Sequence, residues 1–404
     1  METSGKKIEV LVDHFYPVTG GLAIHCLRVY GILSRRGWQI TVRATKNTTE
    51  EKNVLPARGS VSGIEIFRYS FENYNFNPWA LKIDYRGAAV VCLNELVILP
   101  HYFVYIYSYL LKLFSRRNFA VVLTSHGLFT TDIGVYRSLK RKIKRIIDRT
   151  LGVFLINRTV NRVHSISQTE KDGLVAAGVN PEIIEVIPNG VDEEAFKDID
   201  SLASADVKNL VSEFGIYLLQ IGRLDRHKNY EATIKALCLL PEEIKYVILG
   251  ADEDRDYKQE LQQLIARLSL EKRVIFAGVI KGADKFYLLK HALVYIHMAH
   301  SEGFGMVVQE AMSQGAVCLV SRGTGLEELV TDGVNGYALS KDDAEGIAQK
   351  IGFIFNHPDD PELQEIRRNG FLYAKSRDWE KVAGSMEELF NRAIIDNQRA
   401  YDGQ

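Results

Sequence analysis

Apolar residues in this chain fall into short continuous runs, separated by longer stretches where they recur every three to four positions. Ile8–Asp13 is the first such run, Ala88–Leu93 and Ala120–Thr124 read as strands of the same kind, and Gln39–Thr45 and Val163–Ser167 read as further strands with polar positions among the apolar ones. Between Ile8–Asp13 and Gln39–Thr45 a helical pattern extends from Leu22 to about Arg36. It stops at Gly37, a residue suited to the left-handed position that closes helices. His101–Phe114 reads as an amphipathic to buried helix. Short apolar strands alternating with helices predict a parallel sheet covered on both faces. The second half repeats the plan, with strands at Tyr217–Ile221, Tyr246–Gly250, Val274–Gly278, Val294–His297 and Ala316–Ser321 and a helix over Tyr230–Leu240. Asp192–Glu213 is polar, acidic and weakly periodic, and reads as a linker region. A closing helix runs from Trp379 to about Ala393, after a break near Asp359–Pro361. The duplication is one of architecture, with no tandem repeat in sequence.

Composition narrows this picture. A chain of 404 residues favours two domains, expected at 1–198, completed by 379–404, and at 199–378. A net charge of −1 gives no sign of a nucleic-acid partner. Cys26, Cys92, Cys238 and Cys318 lie far apart and form no Cys-x-x-Cys pair, which fits a reduced cytoplasmic setting rather than a zinc or disulfide framework. No secretory leader is read in the N-terminal stretch. The uncharged stretch Leu96–Leu111 is shorter than the ~20 apolar residues that span a bilayer and reads as a core segment, with contact with a membrane surface as the alternative.

Candidate chemistry concentrates in two loops that leave strands. In Gly222-Arg223-Leu224-Asp225-Arg226-His227-Lys228-Asn229, Arg223 offers a planar fork of donors and Lys228 a point charge. Two cations on one strand-to-helix loop can converge on a diphosphate, or the loop is simply a solvated basic turn. In Ser301-Glu302-Gly303-Phe304-Gly305-Met306, two glycines flank Phe304 ahead of a helical run that carries Glu310. Exposed amide groups and the positive helix end suit phosphate and sugar oxygens. The two carboxylates can accept hydrogen bonds from vicinal hydroxyls.

The spacing from Glu302 to Glu310, with Gly303-Phe304-Gly305 inside it, resembles the E-x7-E motif of glycosyltransferase family 4, a retaining family with the GT-B fold. Other segments agree in order. They are Tyr16-Pro17 through Gly20-Gly21, Thr124-Ser125-His126-Gly127, Ile187-Pro188-Asn189-Gly190-Val191-Asp192, Gly222-Arg223 with Lys228, Phe276-Ala277-Gly278-Val279 and Glu328-Leu329-Val330. The sequence departs from the family at Met298 and Ala299, where Pro-Ser is common, at Thr324-Gly325, where a Gly-Gly pair is common, and at Cys92, where His is common.

The resemblance implies an α/β protein of two Rossmann-like, doubly wound parallel-sheet domains facing across a cleft. It implies a hexosyltransferase that uses a UDP- or GDP-linked sugar, with no cofactor and no metal. Carried over residue by residue, Arg223 and Lys228 neutralise the donor diphosphate and Glu310 binds the ribose. Glu302, with amides near Gly303, Phe304, Gly305 and Met306, holds the sugar. Gly20, Gly21 and Gly222 give the backbone close approach, Val279 meets the base, and His126 lies near the anomeric carbon. The acceptor is a sugar or a lipid-linked hydroxyl. Arg137–Arg149, with seven Lys/Arg, is a basic amphipathic segment. It reads either as a surface helix or as a dock for anionic headgroups, which would place the protein peripherally on the cytoplasmic face of a membrane. Rival readings remain: a catalytically silent nucleotide-sugar-binding subunit, and a GT-B sugar-nucleotide epimerase or soluble sugar-phosphate synthase using the same donor site.

Overall fold

The computed structural model describes residues 6–18, 20–47, 54–77, 79–94, 99–114, 117–126, 143–144, 146–252 and 254–402. The chain divides into two compact units, one formed by residues 1–189 with 379–404 and the other by 190–378.

In the first unit, β1 (Lys7–Leu11), α1 (Gly21–Arg35), β2 (Gln39–Thr45), β3 (Arg58–Val61), β4 (Ile64–Tyr69) and α2 (Phe71–Phe76) come first. They are followed by β5 (Val90–Asn94), α3 (Leu99–Leu113), β6 (Ala120–Thr124), α4 (Val153–Thr159), β7 (Arg162–Ser165), α5 (Gln168–Ala176) and β8 (Ile184–Val186). The sheet order is β3-β4-β2-β1-β5-β6-β7-β8. All neighbours are parallel except β3 and β4. β5 and β6 are buried at every position, which explains why these strands read as unbroken apolar runs rather than alternating ones. The β3–β4 hairpin, absent from the sequence reading, turns through Ser62 and Gly63, both at positive φ (49° and 76°). Mirror-image turns of this kind match the right-handed twist of paired strands.

The second unit contains α6 (Ala205–Phe214), β9 (Ile216–Ile221), α7 (Tyr230–Leu237), β10 (Ile244–Leu249), α8 (Arg255–Arg267), β11 (Val274–Gly278), α9 (Gly282–His291) and β12 (Val294–His297). Then come α10 (Met306–Ser313), β13 (Cys318–Ser321), β14 (Tyr337–Leu339), α11 (Ala344–Asn356) and α12 (Pro361–Ser376). Its all-parallel sheet runs β11-β10-β9-β12-β13-β14. The region expected to be linker is folded. Ser204 Oγ caps α6 by accepting from Val207 N (3.2 Å), and Gly215 closes it at φ 66°. Residues 190–198 group with the second unit, where Phe196 meets Phe371 edge to face at 5.9 Å.

The last helix, α13 (Trp379–Asp402), returns to the first unit and extends beyond its expected end at Ala393. Trp38 Nε1 donates to Glu387 (2.8 Å), Arg117 to Asn397 (2.9 Å) and Arg162 to Asp396 (2.7 Å). α3 corrects a further expectation. Only one side of it is buried, and Phe103, Ile106, Leu110 and Leu113 face solvent. Among the described residues, no helix is long and apolar enough to cross a membrane.

Candidate active site

Doubly wound sheets bind ligands beyond the carboxyl ends of their strands, and in the second unit the two motif loops leave neighbouring strands. β9 runs into Gly222 and Arg223, and β12, its direct neighbour, runs into the loop that carries Glu302. The β9 loop is fixed from beneath. Tyr230 Oη donates to the carbonyls of Gly222 (2.8 Å) and Arg223 (3.2 Å), and Gln220 Nε2 donates to Lys228 O (3.0 Å). Asp225 caps the turn Arg226–Lys228 by accepting from His227 N at 2.8 Å. Arg226 is committed elsewhere, forked onto Glu260 at 2.5 and 2.6 Å. Arg223 is exposed, and the Lys228 stem lies over Gly222, where an added Cβ would sit 3.5 Å from Lys228 Cε.

Lys228 Nζ and Glu302 Oε2 form an ion pair across the two loops. The two residues assigned to a diphosphate and a sugar are thus brought side by side. A third group, unsuspected in the sequence, completes the cluster. His297 is 2% exposed, and its Nε2 lies 3.3 Å from Glu302 Oε2. Tyr295 Oη sits 3.0 Å from Nδ1 of the same ring. Burial pushes the Glu302 carboxyl up, but the Lys228 ammonium and His297 outweigh it and hold the acid far below its usual range. Burial lowers the His297 pKa, with Lys228 adding to the effect and Glu302 opposing it. The only signal for His297 was its place at the end of a predicted strand.

The helix start beside Glu302 is built as the glycines require. Gly305 caps α10 from the left-handed region (φ 85°, ψ 59°). A Cβ there would meet Leu326 Cδ2 at 2.3 Å, so glycine is needed for both conformation and space. Phe304 is 3% exposed. Its side chain belongs to the core, which leaves only the backbone of Gly303, Phe304 and Gly305 to face a ligand. The opening amides of α10, from Met306 on, have no preceding helical carbonyl to bond. Gly325 N donates to Glu302 O (2.9 Å) and ties this loop to the one after β13. Glu310, a turn deeper on α10, is 8% exposed and pairs through Oε1 with Lys285 Nζ at 2.7 Å. Lys285, on α9, was not foreseen. Glu310 Oε2 is buried with no hydrogen-bond partner. Val279 stands at the end of β11, two strands from β9, and is 56% exposed.

In the first unit, His126 follows β6 and is half-buried. It belongs to a cluster of rings. His25 meets His126 edge to face at 5.2 Å, stacks on His164 at 5.2 Å and touches Trp379 at 6.0 Å. His25 Nδ1 bonds Asn189 Oδ1 (2.7 Å), and His164 Nε2 bonds the Ile187 carbonyl (2.8 Å). The Ile187–Asp192 segment that the sequence flagged therefore holds two of these histidines. Burial lowers all three rings, His25 to about 4, His164 to about 3 and His126 well below its ordinary value. His126 Nε2 is buried without a partner. Gly20 precedes α1 with extended backbone (φ 176°) and open space where a Cβ would stand, and Gly21 is exposed. Gly127 and most of Arg137–Arg149 lie outside the described residues.

Two doubly wound α/β units, one with paired cation and carboxylate at a glycine-opened helix start, define the class as a GT-B glycosyltransferase. Residues 19–195 match the family described as Glycosyltransferase Family 4, and residues 205–372 match Glycosyl transferases group 1. The chain belongs to this family. It is 23% identical over 392 residues to N-acetyl-alpha-D-glucosaminyl L-malate synthase of Bacillus anthracis, covering 95% of this chain and 97% of that one. It is 24% identical over 344 residues to the phosphatidylinositol N-acetylglucosaminyltransferase GPI3 subunit of Saccharomyces cerevisiae, covering 83% and 72%. Among solved structures, the sucrose-phosphate synthase of Thermosynechococcus elongatus superposes with a TM-score of 0.78 at 20% identity, over 96% and 98% of the two chains. Anabaena Alr3699/HepE, in complex with UDP-glucose, gives 0.73 at 21%, over 95% and 98%.

Proposed function

We propose that this protein transfers a hexose-type sugar from a UDP- or GDP-linked donor to an acceptor hydroxyl, with retention of anomeric configuration and without a metal ion. The observation that carries the reading is the pairing of Lys228 with Glu302 beside the α10 start. Cation, carboxylate and helix amides adjoin one another there, which supports a reading in which they receive phosphate, sugar hydroxyls and leaving-group charge. HepE, of the same fold, holds UDP-glucose, which supports the donor class.

In this reading the bond between the anomeric carbon and the diphosphate oxygen breaks. Lys228, Arg223 and the α10 amides take up the charge that develops on the leaving group, each well-placed donor contributing about 3–4 kcal/mol. The acceptor oxygen attacks the same face of the ring, and its proton passes to the departing phosphate. Glu302 accepts from sugar hydroxyls, Glu310 from the ribose, and His126 serves the donor sugar. A donor must therefore exchange partners with the resident pairs, displacing Lys228 from Glu302 and Lys285 from Glu310.

The test is thermal denaturation with UDP-glucose, UDP-N-acetylglucosamine and GDP-mannose. One donor at a hundred times its Kd is expected to stabilise the protein by about 2.7 kcal/mol. Proton NMR of the product should then show the donor's anomeric configuration. No shift with any nucleotide sugar, or an inverted product, would sink the reading.

The loop contact at Gly325 gives a second test. An added Cβ would lie 2.3 Å from Gly303 O and 2.8 Å from Glu302 O, both backbone atoms. Gly325→Ala is expected to push the Glu302 loop out of place and raise the donor KM about tenfold or more, since misplacement by an ångström is costly. Steady-state kinetics with varied donor checks this, and an unchanged KM would detach the loop from the donor site.

A further inference from the structure

The ring of His297 holds an idle hydrogen-bond donor against the candidate site. His297 and Tyr295 lie two residues apart on β12 and so share a face of the strand. They are 2% and 0% exposed. Among the described residues, Tyr295 Oη has one hydrogen-bond partner, His297 Nδ1 at 3.0 Å. The phenol keeps its proton bonded only by donating it to Nδ1, which leaves the ring proton on Nε2. Nε2 lies 3.3 Å from Glu302 Oε2, yet it is buried without a hydrogen bond. The two atoms are close enough in distance and out of line in angle. A buried donor left unmade costs free energy that an apolar side chain in its place would not.

Partner exchange at Glu302 gives that donor a use. Among the described residues, the Glu302 carboxylate lies within ion-pairing reach of Lys228 and His297 alone. Lys228 holds it now, from the end of a flexible stem on the loop after β9. His297 is fixed in place, on a strand between β9 and β13. A diphosphate that draws Lys228 to itself takes the first partner from a carboxylate that is only 19% exposed. Stripping one partner from an enclosed charge is costly unless another takes over.

We infer that His297 is a positioning residue: when the donor diphosphate takes Lys228, Glu302 turns onto the His297 Nε2–H, which keeps the carboxylate paired and in place to receive sugar hydroxyls. The inference rests on the transferase reading and adds the step that frees the lysine without stranding the acid. Tyr295 acts through the tautomer it imposes on the ring.

The test compares UDP, whose diphosphate draws on Lys228, with uridine, which carries no phosphate, by ligand-observed NMR titration of the whole protein. GDP and guanosine replace them if GDP is the nucleotide that stabilises the wild type. His297→Phe fills much the same space without a donor. It is expected to weaken UDP about ten- to a hundredfold, the worth of a hydrogen bond to a charged group, and to leave uridine within about twofold. His297→Gln can still accept from Tyr295 and donate to Glu302, so it should bind UDP within about threefold of wild type. In the wild type, the His297 N–H proton, assigned by its loss in His297→Gln, should move downfield when UDP is added and stay in place with uridine. Unchanged UDP affinity in His297→Phe would overturn the inference, as would an N–H proton that UDP leaves unmoved. Equal loss of UDP and uridine would also overturn it, by marking the ring as packing alone. A loss confined to UDP-glucose, with UDP bound normally, would mean that the ring meets the sugar directly and not through Glu302. Failure of the wild type to bind either UDP or GDP would instead remove the transferase reading beneath it.

Discussion

Lys228→Ala is expected to lower kcat about 10²–10³-fold, the largest single effect on activity, with a smaller change in donor KM. Removal of the ammonium takes away a charge that matters most as the diphosphate departs, so the loss falls on the transition state more than on the ground state. It also strips Glu302 of its closest partner. Both side chains of the pair are mostly buried, at 17% and 19% exposed. The stranded carboxylate is then left with burial pushing its pKa up and without the Lys228 charge that, with His297, opposed it. A destabilisation of about 1–3 kcal/mol follows from an unpaired, partly buried charge. That is smaller than the 5–15 kcal/mol that holds a typical domain together, so the variant should fold and its defect should be chemical. Two further variants separate the causes. Lys228→Met keeps the stem over Gly222, and should restore packing without restoring kcat. The double variant Lys228→Met/Glu302→Gln should recover stability while staying inactive, because it removes the orphaned charge along with its partner. A kcat for Lys228→Ala within threefold of wild type would remove the lysine from the diphosphate site.

Legibility in the sequence followed physical distinctness. Strands β6 and β12 were readable because a parallel sheet covered on both faces leaves nearly unbroken apolar runs. The β3–β4 hairpin was not, because it is an edge pair with Arg58 and Gly59 exposed and its signal was a bare Ser-Gly turn. α6 was taken for linker because its acidic outer face hides a sparse apolar one, which buries Val207 and Phe214. α3 was placed in the core because hydropathy counts apolar side chains without saying which way they point. At the candidate site, the glycines, Lys228 and both glutamates were legible because their spacing within single loops constrains them. The partners that set their behaviour were not. His297 reaches Glu302 from β12, and Lys285 reaches Glu310 from α9, and neither pairing leaves a local trace. The same holds for His25 and His164 around His126, which come from α1 and β7.

That histidine cluster sets the second large effect, which falls on stability. Acidification from pH 7.5 to 5 is expected to weaken the first unit by about 2 kcal/mol for each of His25 and His164. The sign follows from where the protons go. In the unfolded chain a histidine titrates near 6.5, whereas burial lowers His25 to about 4 and His164 to about 3 in the folded unit. Between those values the unfolded state binds the extra proton. Stability conferred by the neutral rings is therefore complete above 6.5 and drains away as pH falls toward 4. Glu302 does not confuse the reading, because a carboxylate with a depressed pKa loses its contribution only below its ordinary value near 4.5. The measurement is also selective. The three tryptophans of the chain, Trp38, Trp79 and Trp379, all belong to the first unit, so urea unfolding followed by tryptophan fluorescence reports on that unit alone. His25→Gln can still donate to Asn189 but cannot take up the proton, so it should flatten the dependence by about the share of one histidine. An equal urea midpoint at both pH values would mean that the rings are hydrated or already charged, and the cluster would then be no dry ring stack. If the dependence appears and His25→Gln leaves it unchanged, the proton goes elsewhere. His164 and His126 are then the remaining candidates, since His164 Nδ1 and His126 Nε2 are buried without partners and both rings lie 5.2 Å from His25.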